Sequence, residues 1–389
     1  FQNIIRDVYV CVVAVNSLGC QSAPQCMYFP NCCPTSTNVI KYANTSYSTT
    51  VVVPATAGSS TIAFGGTITV NTGGNVIISS KDVWLEPNTK FVLNGTGKIT
   101  FSGDYVHACT TMWDGIYVNN TSTVTVTNSR VEDAKRVIID SLGDASISVL
   151  SSYLNKNNMG VVFKAAKTST SAVSIKNTLF TCATISTAGA LPKIPTAVNL
   201  TNAATLGAFP TTFMLPPYNT QKSFCGIYTS DASHTGKTNT ALVIGGATNE
   251  ENVFDKMQYG AYFVRSRTTL QNNVFQNIKS SIAPISGGAF NTGVLAVGPI
   301  FGSGGPYYTL VGGANVNFKN TFKDNDNGFI NYSQYLVSVQ YNRFENQGTG
   351  VFITANNNRS TVNVGFNKFV NNKIGINFDY NSNIDANIS

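Results

Sequence analysis

The amino-acid sequence predicts an all-β protein, folded as a right-handed parallel β-helix (a solenoid) of about twelve coils with an N-terminal cap and inserted loops. Three observations support this prediction: the composition, a repeated polar–apolar unit, and the length of that repeat. Hydrophobic residues make up 42% of the 389 residues and charged residues only 11%, so the surface must be built largely from neutral polar groups. Abundant Asn, Thr, Ser, Gly and Val favour strands and turns over helices.

The repeated unit is an Asn or Ser, a large apolar residue two positions later and a polar residue two positions after that. It occurs as Ser129-x-Val131-x-Asp133, Ser152-x-Leu154-x-Lys156, Asn252-x-Phe254-x-Lys256, Asn273-x-Phe275-x-Asn277, Asn320-x-Phe322-x-Asp324, Asn342-x-Phe344-x-Asn346 and Asn367-x-Phe369-x-Asn371. Neighbouring units such as those at Asn252 and Asn273, or Asn342 and Asn367, begin 21 and 25 residues apart. This length matches one β-helix coil and is too short for a βαβ unit.

Residues at equivalent positions of such coils stack about 4.8 Å apart. We therefore expect an apolar stack of phenylalanines and a polar ladder of asparagines, formed by Asn252, Asn273, Asn320, Asn342, Asn367, Phe254, Phe275, Phe322, Phe344 and Phe369. A sugar-binding stripe is the alternative role for the asparagines. In six of the seven units the eighth residue after the Asn or Ser is a Gly or Val that opens an apolar strand: Val137, Gly160, Gly260, Gly328, Gly350 and Gly375. The Gly is interpreted as meeting the backbone angles of a turn. Ser281 takes that place after Asn273.

Two regions and two inserted loops organise the chain. Residues 1–50 form a Cys-rich N-terminal segment, either a cap or the end of an immunoglobulin-like module, and residues 51–389 form the β-helix. Insertions near 183–223, rich in Pro, and 298–313, rich in Gly, interrupt the repeat. Long loops often carry binding residues, so these are the preferred contact surfaces.

Cysteine usage indicates an oxidising compartment. Five of the eight cysteines lie between Cys11 and Cys33 without a paired CxxC pattern, which favours disulfides over zinc. Cys182 and Cys225 flank the first insertion, and we predict that they pair at its base. We therefore expect a secreted or cell-surface protein, while the other pairings stay open.

Charge and hydropathy exclude two classes of partner. The net charge of +7 reflects few acidic residues rather than basic clusters, so nucleic acid is not an expected partner. No apolar stretch approaches the roughly 18 residues of a membrane span.

A polysaccharide-cleaving enzyme would need acid and base groups, or a bound calcium ion, on the outer face of adjacent coils. The best candidates are Asp255, Lys256, Arg265 and Arg267, with a solvated charged face as the alternative. The segment Trp113-Asp114-Gly115 is interpreted as structural, at the transition from the cap to the regular coils. Its alternative is a catalytic Asp114 acting with Asp104 or Asp133.

No cofactor is expected, with calcium as the alternative. Asp324-Asn-Asp-Asn-Gly328 has the opening spacing of a calcium loop, but the repeat already explains Asp324 and Gly328, and no Glu follows at the twelfth position.

The chain resembles the right-handed β-helix proteins that Bacteroidetes secrete, including surface and gliding-associated polypeptides. The resemblance rests on Val83-Trp-Leu-Glu-Pro-Asn, Lys98-Ile-Thr-Phe-Ser-Gly and Cys109-Thr-Thr-Met-Trp-Asp-Gly-Ile-Tyr-Val, followed by the Asn-x-Phe coils, and it covers about residues 60–389. It implies the fold and export to the cell surface but says little about activity. The C-terminal sorting domain usual in that group is absent from this sequence, so export rests on the resemblance.

These observations favour an extracellular structural or adhesive rod without catalytic activity, which binds a polysaccharide or another cell-surface component. A lyase or glycoside hydrolase acting on acidic glycans is the alternative. A third hypothesis is a subunit of a filament or larger surface assembly, because the strand edges of a terminal coil favour further chain or a partner.

Overall fold

The computed structural model is a parallel β-solenoid that confirms the predicted fold class. It describes residues 8–12, 25–29, 39–53, 61–165, 172–182, 217, 222–230, 242–246, 250–280, 291–298, 307–313, 315–354, 360–379 and 384–389. Within these residues the only helix is a single 3-10 turn, Val316–Phe318.

Each coil contributes one strand to each of three parallel sheets, here called sheets I, II and III in chain order. Sheet I contains Ile40–Ala43, Thr61–Gly65, Asp82–Leu85, Tyr105–Ala108, Arg130–Glu132, Tyr153–Asn155, Leu179–Thr181, Asn252–Asp255, Asn273–Gln276, Thr321–Lys323, Arg343–Glu345 and Lys368–Val370. Sheet II contains Ser46–Tyr47, Thr67–Val70, Lys90–Leu93, Gly115–Val118, Arg136–Asp140, Met159–Phe163, Ser223–Ser230, Met257–Val264, Thr292–Val297, Asn327–Tyr332, Thr349–Thr354 and Ile374–Phe378. Sheet III contains Thr50–Val53, Asn75–Ser79, Lys98–Ser102, Thr123–Thr127, Ser146–Leu150, Val173–Lys176, Leu242–Gly245, Arg267–Gln271, Tyr308–Val311, Leu336–Gln340, Ser360–Gly365 and Ile384–Ile388.

Sheets I and II have twelve strands each within the described residues, and sheet III consists of two six-stranded segments. The predicted number of about twelve coils is therefore confirmed, and at the inter-strand spacing they form a rod of roughly 55 Å. The first coil begins at Ile40, ahead of the predicted boundary at residue 51. Before it, Val8–Val12 and Gln25–Phe29 pair as two antiparallel strands.

A continuous column of apolar residues from sheet I fills the interior. Its members pair in register from coil to coil: Ile40, Ile62, Val83, Val106, Val131, Leu154, Phe180, Phe254, Phe275, Phe322, Phe344 and Phe369. The six phenylalanine rings lie nearly parallel, with neighbouring centroids 4.6–5.1 Å apart. The ring spacing therefore follows the coil spacing, and one stack spans half of the rod.

The repeated glycines make room for these rings, and this corrects their expected role in a turn. Gly328 lies within a strand of sheet II, where a Cβ atom would come within 2.7 Å of Phe344 Cδ1 and 2.6 Å of the Gly350 carbonyl oxygen. Gly160, Gly226, Gly260, Gly293 and Gly350 similarly face the phenylalanine of the next coil. Gly293, and not Ser281, takes this place after Asn273, and Ser281 lies outside the described residues.

A ladder of polar side chains closes the corner between sheets III and I. The Asn320 amide oxygen accepts from the backbone N–H and the Nδ2 of Asn273, both at 3.0 Å, and Asn342 accepts in the same way from Asn320. Asn320 Nδ2 also donates to the Leu270 carbonyl oxygen at 2.9 Å. The ladder asparagines from 252 to 342 are buried, so they do not form a sugar-binding stripe on the surface.

In the coils that precede Asn252, other residue types continue the ladder. Ser129, Ser152 and Thr178 occupy its middle positions, and Asp104 accepts from the backbone N–H of Lys81 at 2.8 Å. Burial raises the pKa of Asp104 to about 7, although the N–H groups of Lys81 and Ser102 lower it in part.

The polar residue that ends the repeated unit forms the corner between sheets I and II. All seven such residues have a left-handed backbone with φ between 53° and 60°: Asp133, Lys156, Lys256, Asn277, Asp324, Asn346 and Asn371. The unit seen in the sequence is thus a sheet I strand with its following corner. Five of the seven are Asn or Asp, which tolerate a left-handed backbone better than most residues with a side chain.

We predict that Gly328→Ala lowers the free energy of unfolding by about 1–3 kcal/mol, because the added methyl group would force Phe344 and the adjacent backbone apart. Gly375→Ala is the matched control, since its Cβ would lie 3.8 Å from Phe369. Thermal unfolding of both variants measures the effect. Equal midpoints would contradict the steric role of the glycine column.

We predict that the effect of Asp104→Asn on the free energy of unfolding becomes more favourable as pH rises from 4 to 8. Both carboxylate oxygens accept from backbone N–H groups, so the Asn amide loses one of these bonds at every pH, and the ionisation of Asp104 adds the pH dependence. The folded-state pKa lies above the ordinary value, so the wild-type protein loses stability as pH rises from about 4 through 7, by at most about 4 kcal/mol. Urea unfolding across this range measures the difference. Asn342→Asp, which places a carboxyl group in the same ladder, should show the opposite pH dependence. A pH-independent loss in Asp104→Asn would contradict the prediction.

Candidate functional site

The four predicted catalytic candidates do not form one cluster. Asp255 ends a strand of sheet I and Lys256 forms the following corner. Arg265 and Arg267 lie beyond the eight-residue strand Met257–Val264, roughly 25 Å along the chain at the usual rise per residue. The Asp255 carboxylate therefore lies near the N-terminal end of the strand Met257–Val264, and the two arginines follow its C-terminal end.

Asp255 has a structural set of partners. Its carboxylate accepts from Thr181 Oγ1 at 3.2 Å, Gln276 Nε2 at 3.3 Å and Asn277 Nδ2 at 2.7 Å. These partners come from the coils on either side, and the residue is buried. The carboxylate links three successive coils, and its oxygens are occupied by these donors.

Charged and aromatic side chains concentrate instead on the outer face of sheet I, in the third to sixth coils. We call this group the sheet I network, and it consists of Asp82, Trp84, Tyr105, His107, Arg130, Glu132 and Asn155. The strands place them in two neighbouring outward rows, on either side of the interior column. Most members are buried although they point away from the interior.

Glu132 is the centre of one half of the sheet I network. Its carboxylate accepts from Arg130 Nε and Tyr105 Oη, both at 2.8 Å, and from Asn155 Nδ2. The Arg130 guanidinium also lies 4.8 Å from the centre of the Tyr105 ring. Burial alone would raise the pKa of Glu132, but Arg130, Lys156 and the Asn155 hydrogen bond lower it to about 2, and Glu132 in turn raises the pKa of Arg130. This half is a fixed ion pair that does not exchange protons near neutral pH.

His107 and Asp82 form the other half. His107 Nε2 lies 2.9 Å from Asp82 Oδ1, and Trp84 Nε1 donates to Asp82 Oδ2 at 2.9 Å. The imidazole stacks on the Tyr105 ring, with centroids 4.2 Å apart, and meets the Trp84 ring edge-on. The Asp82 side chain is 31% exposed, so this pair is the part of the sheet I network that water can reach.

Sequence reasoning missed the sheet I network because its members lie on four different coils. One signal was present: Arg130-Val-Glu132 recurs at the same register as Arg343-Phe-Glu345. The second pair also forms an ion pair, at 2.7 Å, but its side chains are 38% and 24% exposed. An Arg-x-Glu strand of sheet I therefore brings both charges to the outer face, and the surroundings decide how deeply they are buried.

The residues predicted as a calcium loop belong to a corner and a strand. Asp324 forms the corner and accepts from Asn346 Nδ2 at 3.1 Å, while Asp326 accepts from the backbone N–H of Ser280 at 2.6 Å. Gly328 lies within the next strand. Among the residues that the structure describes, no group of three His, Cys, Asp or Glu side chains could hold a metal ion. Neither the expected lack of a cofactor nor its alternative, calcium, is tested by the structure.

The structure does not contain the predicted bond between Cys182 and Cys225, because both are buried free thiols. Cys182 packs in the interior core, whereas Cys225 packs with Tyr259, Leu295 and Ile330 in a separate cluster. Burial raises the pKa of Cys182 to about 12 and that of Cys225 further, so both thiols stay protonated and unreactive. Cys109, by contrast, is disulfide-bonded.

The segment 113–115 has structural roles. Trp113 is fully buried, and its Nε1 donates to the Glu132 carbonyl oxygen at 2.8 Å. Asp114 pairs with Lys135 Nζ at 2.6 Å, and Gly115 opens a strand of sheet II with φ at 131°. Trp113 lies in the fourth coil, so it does not mark the beginning of the regular coils.

The inserted loops at 183–223 and 298–313 fall mostly outside the described residues, so their role as contact surfaces stays a prediction. Across the described ranges, no helix has the length and apolar character needed to cross a bilayer. Comparison with protein-family models, with curated proteins and with solved structures finds no match to this chain.

We predict that Glu132→Gln lowers the free energy of unfolding at pH 7 by about 3–5 kcal/mol, because it leaves the buried Arg130 without its counter-charge. The folded-state pKa lies below the ordinary value, so the contribution of Glu132 is present above about pH 4.5 and is lost as pH falls toward 2.

Glu345→Gln is the matched control, with an expected loss below about 1 kcal/mol because its ion pair is partly exposed. Urea unfolding of both variants at pH 7 and pH 3 measures the difference. Equal losses would show that the sheet I network is no more important for stability than a surface pair.

Proposed function

We propose that this protein is an extracellular structural or adhesive rod that binds a polysaccharide or another cell-surface component and does not catalyse a reaction. The supporting observation is the outer face of sheet III. Thr100, Thr125, Ser148 and Ser174 lie in register on successive coils, and their side chains face outward beside the buried interior rows. A rod with such a face offers hydrogen-bonding groups at a regular spacing along its length.

The charge distribution supports a binding role for this face. Except in its last strand, sheet III contains no Asp or Glu. The acidic residues of the strands lie mainly on sheet I, where Glu132 and Asp255 are engaged by neighbouring coils. Neutral hydroxyl groups can exchange bonds with water for bonds to a glycan, whereas the paired groups of sheet I are already occupied.

One observation from the structure and one expectation from the sequence support an extracellular location. Cys109 is disulfide-bonded, and disulfides persist in oxidising compartments. The resemblance of the repeat to secreted Bacteroidetes β-helix proteins agrees with export.

A polysaccharide lyase or glycoside hydrolase is the second candidate, favoured by the Asp82–His107 pair. A carboxylate at 2.9 Å from an imidazole can orient the ring for proton transfer. Tyr105, stacked on the same ring, would lie beside a substrate bound there.

A glycan array combined with a degradation assay separates the two candidates. We expect the purified chain to bind at least one polysaccharide without producing new reducing ends or unsaturated products. Depolymerisation that is lost in His107→Gln or Asp255→Asn would contradict the proposal and establish the enzyme. Binding to no glycan or cell surface would exclude the adhesive role.

A further inference from the structure

We infer that an outer surface patch at the start of sheet III, in the eighth to tenth coils, binds an acidic polysaccharide. This inference rests on the proposed adhesive function and names its ligand class and site. The patch consists of Arg265, Arg267, Tyr308, Tyr335 and Leu336, and is called the basic aromatic patch below.

The strand register brings these residues together. Arg267 pairs with Tyr308 on the next coil, and Tyr308 pairs with Leu336 on the coil after that. Three outward positions therefore stack at about 4.8 Å intervals along the rod axis. Tyr335 immediately precedes Leu336, and Arg265 lies two residues before Arg267.

Both arginines reach the surface next to buried neighbours. Ser266, between them, is buried and its hydroxyl accepts from Thr229 Oγ1 at 2.7 Å. Thr268, on the other side of Arg267, is also buried. Arg267 therefore points to the outer face, opposite to Thr268. Arg265 lies in the corner before the strand, with a left-handed backbone at φ 44°, and its side chain is half-buried, so it also reaches solvent.

The patch combines a positive charge with exposed apolar surface. The Arg267 guanidinium lies 5.8 Å from the centre of the Tyr308 ring, which helps to hold it over the sheet. Tyr335 is 50% exposed and Leu336 is 38% exposed, values unusual for large apolar side chains in this rod. Arginines provide forked donors for anionic oxygens, and aromatic faces pack against sugar rings.

The surrounding charge favours an anion over a neutral ligand. Among the described residues, the sheet III strands from Leu242 to Gly365 contain no carboxylate that would repel an anionic chain. Arg265 and Arg267 supply its positive charge in the same strands and corner. Carboxylated and sulfated polysaccharides share the chemistry that this surface recognises.

The test measures binding of the full chain to polygalacturonate, dextran sulfate and uncharged dextran. We expect binding to at least one of the two acidic polymers, weaker binding to dextran, and a decrease in affinity with added salt. Arg267→Gln should weaken acidic-polymer binding about tenfold, the loss of one charge-assisted contact. Arg265→Gln/Arg267→Gln should weaken it further.

Lys98→Gln is the matched control, because it removes one exposed positive charge from the same sheet several coils away. Unfolding midpoints check that the variants remain folded. Equal effects of Arg267→Gln and Lys98→Gln, or equal binding of dextran, would overturn the inference. If the protein binds other glycans and the arginine variants bind them equally well, the inference about the patch is wrong but the adhesive role stands. If the protein binds no glycan, both the inference and the adhesive role are refuted.

Discussion

The register between successive coils is the constraint on which the rest of the structure depends. In sheets I and II each described strand hydrogen-bonds to its equivalents one coil away, and the same holds within each segment of sheet III. A residue type at one position must therefore fit the residues directly above and below it. Phenylalanine rings stack at the coil spacing, glycines leave room for them, and ladder amides bond from coil to coil. Each coil is stabilised mainly by its two neighbours, as in other repeat proteins.

The same constraint explains how far the sequence predicts the fold. The Asn-x-Phe-x-polar unit is a complete local structure: a ladder residue, an inward ring and a left-handed corner. Its recurrence is therefore visible without any long-range information. The identification of Ser281 failed because residues 281–290 separate the strand Asn273–Gln276 from Gly293, and a fixed count along the chain cannot allow for an insertion. The role of glycine was missed because its steric partner lies on the next coil.

The candidate site was harder to predict for a related reason. Asp255 and Arg265 are close in sequence, but a whole strand of sheet II separates them. Tyr105 and Glu132 are 27 residues apart in sequence, yet their side chains share a hydrogen bond of 2.8 Å. Groups that meet on a solenoid face are separated by about one coil of sequence, so their association can be seen only when the coils are correctly aligned. Burial of the sheet I network also depends on tertiary surroundings that composition does not reveal.

The pairing of glycine with phenylalanine limits how such a rod can change its length. Val137 occupies the glycine position of its coil and is buried in the core with Leu154, whereas Gly160 faces Phe180. A coil carrying valine could not be placed directly before a coil carrying phenylalanine without a clash. Coils from the phenylalanine half could be duplicated or deleted among themselves, but a coil with a side chain at the glycine position could not directly precede one of them. The boundary between Leu154 and Phe180 therefore divides one continuous rod into two sets of modules.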